Sequence, residues 1–123
     1  MRVNKDTRGT GFYDIFPKQE GQTDISFSYP GTIRAFHCHN IKTEWFFCAG
    51  GVIELVLTNP FEIHYMEKGD MIEITPHRWH GFRILGDELG VMLEHSSHKH
   101  DLNNPDDMRE PFDKFYDWRI EKK

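Results

Sequence analysis

The sequence contains no long apolar run. No stretch approaches the roughly 20 apolar residues that a membrane-spanning helix needs, and the polar residues 1–10 lack the apolar core of a signal peptide. Positive charge is also in short supply, since 15 lysines and arginines stand against 20 aspartates and glutamates, a net charge of −5. These absences disfavour a membrane and a nucleic acid as partners and predict a protein of the cytoplasm.

Cysteine is scarce as well. Cys38 and Cys48 are too few to hold a chain of this length together through disulfides. We expect both to be reduced thiols that pack as small apolar groups. A redox or metal-binding role for either is the alternative.

Short strands separated by turn residues dominate the rest of the sequence, with no amphipathic helix between them. The 123 residues suffice for one domain and not for two. About eight strands without helices predict an all-β sandwich or barrel. We divide the chain into an N-terminal edge segment (1–22), a barrel (23–102) and a C-terminal strap (103–123) whose aromatic residues pack on the barrel. The predicted barrel strands are 24–28, 32–39, 44–48, 52–58, 62–66, 71–75, 80–85 and 89–95.

Four polar side chains stand out on these predicted strands. His37 and His39 are one residue apart, so on a strand they point to the same face about 6–7 Å from each other. A short turn brings Glu44 back on the next strand, and His80 starts a later one. Three imidazoles and one carboxylate form a ligand set suited to a divalent transition metal.

The alternation of residues predicts which side chains fill the barrel. If His37 faces inward, then Ile33 and Ala35 on the same strand should face inward too. The opposite face would carry apolar residues that solvent does not favour, which predicts a buried partner surface and hence a symmetric homodimer. Those outer residues are Phe36, Trp45 and Phe47.

Several stretches resemble known sequences: 30–37 (PGTIRAFH), 79–82 (WHGF), 85–88 (LGDE) and 104–113, which begins Asn-Pro-Asp-Asp. They resemble the cupin superfamily, and within it the dTDP-4-dehydrorhamnose 3,5-epimerases and the dTDP-sugar ketoisomerases. The resemblance implies a single-domain jelly-roll barrel, the cupin double-stranded β-helix. It also implies a small-molecule substrate, a nucleotide-linked 4-keto-6-deoxysugar.

The same resemblance implies roles for individual residues. His37 would be the general base beside the keto group, Arg34 would hold the nucleotide sugar, and His80 would line the pocket. A His-x-His pair like that of His37 and His39 relays protons in the ketoisomerases. The tyrosine that donates a proton in the epimerases, and their lysine that stabilises the enolate, have no counterpart here. Tyr65 and His95 are the candidates to contact the substrate instead.

Two functions from different classes therefore remain open. The first is a metal-free isomerase or epimerase of a nucleotide sugar with His37 as base. The second is a metal-dependent cupin, an oxygenase or lyase of another small molecule, whose ion (Fe, Ni, Zn or Mn) binds His37, His39, Glu44 and His80. A sugar-binding module without catalysis is a weaker third.

Overall fold

A computed structural model describes residues 1–101, 103 and 105–119. Leu102, Asn104 and residues 120–123, parts of the predicted barrel end and strap, lie outside the described residues. The described part is built from strands alone, and none of it forms a helix that could cross a membrane. The strands are β1 (Arg2–Asp6), β2 (Gly9–Tyr13), β3 (Gln22–Ser28), β4 (Ile33–His39), β5 (Glu44–Gly50), β6 (Val52–Leu57), β7 (Glu62–Met66), β8 (Met71–Ile74), β9 (His80–Leu85), β10 (Gly90–Ser96) and β11 (Asp107–Arg109).

The strands form two antiparallel sheets that pack face to face. The six-stranded sheet has the order β1-β2-β3-β10-β5-β8, and the five-stranded sheet has the order β11-β4-β9-β6-β7. Some neighbours, such as β3 and β10 or β4 and β9, come from distant parts of the chain, as in a jelly roll. The prediction of an all-β jelly-roll domain is confirmed.

The main core lies between the two sheets and is apolar. Cys48 of β5 is part of this core. Cys38 of β4 is also buried but lies outside the core, and both cysteines are free thiols. Close packing of this kind supplies most of the stability of a small β-domain. The core residues are Phe46, Cys48, Ile53, Leu55, Leu57, Met66, Ile74, Phe82, Ile84 and Met92.

A second apolar cluster covers the outer face of the five-stranded sheet. Phe36 of β4 is fully buried there against Tyr116 and Trp118 of the C-terminal segment, and its ring meets that of Phe115 edge to face at 5.2 Å. The expectation that Phe36 lies open to a partner was wrong, because the chain's own C-terminal segment covers it. The homodimer stays a prediction that now depends on Trp45 and Phe47.

A β-bulge in β4 reverses the predicted alternation. Arg34 pairs with Phe82 and His37 pairs with His80, so Ala35 and Phe36 together face one residue. That residue is Gly81. A glycine is needed there to make room for the bulge, since a Cβ at this position would lie 2.3 Å from Cβ of Ala35. The bulge turns Arg34 and His37 to the same side.

The bulge also corrects the predicted orientation of the two apolar residues at the start of β4. Ile33 and Ala35 were expected inside the barrel with the histidines. Instead they pack against the outer cluster, with Phe36. A regular alternation cannot hold through an extra residue, so every side chain before the bulge changes sides.

Candidate active site

One end of the space between the sheets opens into a polar cavity of about 370 Å³. The imidazoles and carboxylates that line it come from both sheets and from the C-terminal segment. Arginines surround them, and apolar side chains of the core form the deeper wall. The titratable residues that line the cavity are His37, His39, His80 and His100; Asp24, Glu44, Glu94 and Asp107; Arg2, Arg8, Arg34 and Arg109; and Lys42 and Tyr13.

Glu44 lies between two imidazoles at the buried end of the cavity. Its Oε1 is 2.8 Å from Nε2 of His39 and 3.1 Å from Nε2 of His80. The second nitrogen of each ring also faces an acceptor. Nδ1 of His39 lies 3.1 Å from Oδ1 of Asp107, and Nδ1 of His80 lies 3.1 Å from the carbonyl oxygen of Arg78.

These contacts set the charge of His39. Desolvation alone would lower the pKa of its ring, but the carboxylates of Asp107 and Glu44 outweigh that and raise the pKa to about 9. Desolvation likewise opposes ionisation of Glu44, and hydrogen bonds from His39 and His80 hold the pKa of this carboxyl far below its usual range. At neutral pH, His39 is therefore an imidazolium paired with a carboxylate.

The same three residues fit a divalent metal ion. The Nε2 atoms of His39 and His80 and a carboxylate oxygen of Glu44 can all lie within 4.8 Å of one another. Acceptors already hold the second nitrogen of both rings, as is usual for metal-binding histidines. Two imidazoles and one carboxylate leave open positions on such an ion. His37 is outside this group of three, although its ring stacks on that of His80 at 6.4 Å.

His37 differs from His39 in charge. Desolvation, then the neighbouring His80 and Arg109, lower the pKa of His37 to about 4. Its ring is therefore a neutral imidazole at physiological pH, able to accept a proton. Arg34 lies on the same side of β4, and its Nε donates a hydrogen bond to Oγ of Ser28 at 2.8 Å.

Tyr65 and His95, the two other predicted substrate contacts, lie outside the cavity lining. Tyr65 is half exposed on β7. His95 is exposed on the outer side of β10, where Nδ1 lies 2.9 Å from Oγ1 of Thr23. His95 was expected to contact a substrate inside the barrel, and this was wrong: Met92 is in the core, so the residues that face inward on this strand are the even-numbered ones.

Glu94 is the residue that sequence reasoning missed on β10. It shares the inward side of the strand with Met92 and lines the cavity. Desolvation and the carboxylates of Glu44 and Asp24 raise its pKa to about 8, so this carboxyl is protonated at neutral pH. The alternation alone allows two orientations of this strand, because Val91 and Met92 both suit a core, and only the orientation with Met92 inside places Glu94 in the cavity.

Asp107 was also missed. It lies on β11, a strand of three residues that pairs with β4 and sets Asp107 opposite His39. The hydrogen bond from His39 holds the pKa of the Asp107 carboxyl below its usual range. Asp107 was seen in the sequence as part of an acidic tail, and nothing local links it to a residue 68 positions earlier.

The charge of the cavity changes between its depth and its mouth. His39, Glu44 and His80 are buried, whereas the arginines at positions 2, 8 and 109 are exposed. A protein with a net charge of −5 therefore gathers three arginines around this opening, of which Arg8 is paired with Asp6 at 2.7 Å and Arg109 lies 3.7 Å from Asp107. Such a mouth attracts an anionic ligand.

Comparison with known families decides the class of this fold. Residues 28–96, more than half of the chain, match the family model described as Cupin domain. The chain belongs to the cupin family. This cupin is 27% identical over 98% of its length, and over 91% of the relative, to the probable low-salt glycan biosynthesis epimerase Agl13 of Haloferax volcanii. It is 31% identical, over 76% of its own length and 69% of the relative, to the spore coat polysaccharide biosynthesis protein SpsL of Bacillus subtilis.

Solved structures give the same fold. The capsular polysaccharide assembling protein CapF of Staphylococcus aureus superposes with a TM-score of 0.80 at 24% identity over 88% of the cupin. The oxalate decarboxylase of Lactobacillus farciminis superposes with a TM-score of 0.74 at 20% identity. This cupin spans about a third of the CapF chain, at 31%. The relatives in glycan biosynthesis support the predicted epimerase-like branch of the cupins.

Proposed function

We propose that this cupin is an epimerase or isomerase that moves a proton beside the keto group of a nucleotide-linked 4-keto-6-deoxysugar, with His37 as the general base. The observation that carries this proposal is the pair of residues on the bulged strand: a neutral imidazole and an arginine that face one cavity. The named activity of the Haloferax relative supports the reaction class.

The base is assigned by the charge of each imidazole. A carbon acid beside a carbonyl needs an uncharged acceptor, and His37 is neutral because its pKa is lowered to about 4. His39 already holds its protons between two carboxylates. His37 therefore removes the substrate proton, and His39 is a fixed cation that helps to position Glu44.

By itself, the carboxylate of Glu44 would repel the negative charge that develops on an enolate in this cavity. The contacts with His39 and His80 remove that difficulty, because two imidazoles share its charge. A metal ion held by these three residues would, when bound, polarise the keto oxygen as a Lewis acid. In either case, the buried polar groups face the reacting end of the sugar.

The exposed arginines suit the other end of the substrate. A diphosphate carries negative charge and several acceptor oxygens, which guanidinium groups bind well. Arg34 lines the same cavity as the imidazoles and is partly buried, whereas Arg8 and Arg109 are exposed. We assign it to the sugar-proximal phosphate, with Arg8 and Arg109 near the distal part of the nucleotide.

The test is proton exchange in deuterium oxide. The protein, first treated with EDTA, is mixed with dTDP-4-keto-6-deoxyglucose, and deuterium at the carbons beside the keto group is followed by NMR. We expect exchange by the wild type and a loss of about 10³-fold in His37→Asn, the usual range for a lost general base. The control is His77→Asn, which changes an exposed histidine whose positive φ asparagine accepts.

Absence of exchange in the wild type with dTDP- and UDP-linked 4-keto sugars, both after EDTA treatment and after zinc is added back, would contradict the proposed function. Exchange that survives in His37→Asn would contradict the assigned base. Each result is read against the folded state, checked by circular dichroism of both variants.

The second candidate is metal-dependent chemistry on another small molecule, favoured by the group of His39, Glu44 and His80. Elemental analysis of dialysed protein tests it. Stoichiometric metal, together with the absence of exchange on any nucleotide sugar, would favour this function over the first.

A further inference from the structure

We propose that Glu94 is the proton donor that inverts the sugar carbon, delivering its proton to the face opposite the one from which His37 takes a proton. This assignment rests on the proposed function and names a catalytic residue that the resemblance to the epimerases does not provide.

The two residues lie on opposite walls of the cavity. His37 belongs to β4, in the five-stranded sheet, and Glu94 belongs to β10, in the middle of the six-stranded sheet. Both side chains line the same cavity. A planar enolate between the sheets would therefore present one face to the imidazole and the other to the carboxyl.

Inversion requires this placement. A single base that removes a proton and returns it restores the original configuration, because it reaches one face of the enolate. An acid on the second face is needed to produce the epimer. Among the described residues that line this cavity, Glu94 combines a position on the facing sheet with a carboxyl that holds a proton at neutral pH.

The surroundings of Glu94 keep that proton in place. Asp24 of β3 is its cross-strand partner, and Glu44 of β5 lies on the other neighbouring strand. Desolvation raises the pKa of Glu94 most, and these two carboxylates raise it further. Arg34 on β4 and Lys42 before β5 lower this pKa, but by less. The remaining neighbour in register is Phe46, which is apolar and buried.

The step balances without a further reactant. The C–H bond beside the keto group breaks, its proton goes to His37, and its electron pair forms the enolate. The enolate carbon then takes the proton of Glu94, a new C–H bond forms on the other face, and the keto group is restored. This leaves His37 as an imidazolium and Glu94 as a carboxylate. Water at the open mouth of the cavity then takes the extra proton from His37 and gives a proton back to Glu94.

The experiment separates exchange from inversion. Glu94→Gln keeps the shape of the protonated carboxyl and removes the acid. In deuterium oxide with dTDP-4-keto-6-deoxyglucose, we expect this variant to incorporate deuterium within about threefold of the wild-type rate while retaining configuration. We expect inversion to fall about 10²-fold or more, the range for a lost general acid.

Glu88→Gln is the matched control, because Glu88 is exposed in the turn between β9 and β10. Glu94→Asp is the second variant: it keeps an acid and should restore part of the inversion. Inversion at the wild-type rate in Glu94→Gln would overturn the proposal. Loss of both exchange and inversion in folded Glu94→Gln would overturn it too, since the carboxyl would then act with the base.

Failure of the proposed function looks different. The wild type would then exchange no proton with any dTDP- or UDP-linked 4-keto sugar, and the assignment of Glu94 would fall with it. Exchange by the wild type without inversion, in a folded protein, would leave the base in place and overturn the donor alone.

Discussion

The two walls of the cavity carry opposite chemistry. The imidazoles of His37, His39 and His80 come from β4 and β9 of the five-stranded sheet. The carboxyl groups of Glu44 and Glu94 come from β5 and β10 of the six-stranded sheet. The jelly roll thus places the three imidazoles on one wall and these two carboxyl groups on the other, with Asp107 of β11 beside His39 on the imidazole wall.

The comparison shows how position decides protonation. His37 has a pKa lowered to about 4, and Glu94 has one raised to about 8, in both cases chiefly because burial disfavours the charged form. At neutral pH the imidazole consequently carries no extra proton and the carboxyl keeps its own, as the two proposed roles require. His39 and Glu44 show the reverse, because they meet across the cavity and stabilise each other's charge.

The largest effect on stability should follow from removing the carboxylate of Glu44, which contacts imidazoles of the opposite wall. Glu44→Gln leaves two buried imidazoles without their shared partner, and breaking a buried ion pair costs about 3 kcal/mol or more. The measurement is urea unfolding of EDTA-treated protein. Glu67→Gln is the control, because Glu67 is exposed away from the cavity.

The loss in Glu44→Gln should depend on pH. The folded-state pKa of His39 is raised from 6.5 to about 9. Its contribution to the free energy of unfolding is therefore fully present below about pH 6.5 and is lost as the pH rises through 9. The pKa of Glu44 is lowered from 4.5, so its contribution is present above that pH and lost on acidification. The difference from the wild type should be largest near pH 6 and shrink above pH 9. A difference that stays constant across this range would show that the pair is not ionised.

A smaller effect is expected from Asp107→Asn, which alters the support behind the imidazole wall. Asp107 holds Nδ1 of His39 from the C-terminal segment. Loss of such a partner usually weakens metal binding 10–100-fold. Zinc affinity, measured by competition with a chelator, checks this, and Asp113→Asn is the control because Asp113 is exposed.

Unchanged zinc affinity in Asp107→Asn would mean that the imidazole wall needs no support from β11. Reduced affinity in both variants would point to a general loosening of the C-terminal segment. The contrast between the two aspartates therefore separates orientation of one ring from packing of the whole segment.

The sequence alone predicts the architecture because alternation and turns recur along the whole barrel. The spacing of short strands also predicts that His37, His39, Glu44 and His80 lie near one another; all four line one cavity, but His37 is outside the group of three that could hold a metal. The orientation of Ile33 and Ala35 could not be predicted in this way, because one extra residue in β4 reverses the alternation. In the sequence, Gly81 is the residue that the bulge requires. A single glycine in a strand can have many other reasons, so it does not predict a bulge.

The missed residues have a different reason. Glu94 and His95 are neighbours on a strand that ends in polar residues, so only the true inward position of Met92 distinguishes them. Asp107 depends on the pairing of β11 with β4, a contact between distant parts of the chain. Such pairings of short strands leave no pattern in the sequence around either partner.

The smallest effect tests whether the C-terminal segment supports the imidazole wall from behind. The hydroxyl of Tyr116 donates a hydrogen bond of 2.9 Å to Oε2 of the fully buried Glu54. Tyr116→Phe removes that bond. We expect the free energy of unfolding, measured with urea, to fall by about 1–2 kcal/mol, with zinc affinity unchanged. Tyr65→Phe is the matched control: Tyr65 is half exposed on β7, so its loss should stay within about 0.5 kcal/mol. A fall in zinc affinity in Tyr116→Phe would show instead that the packing on the outer face reaches His39 and that the two sides of the five-stranded sheet act together.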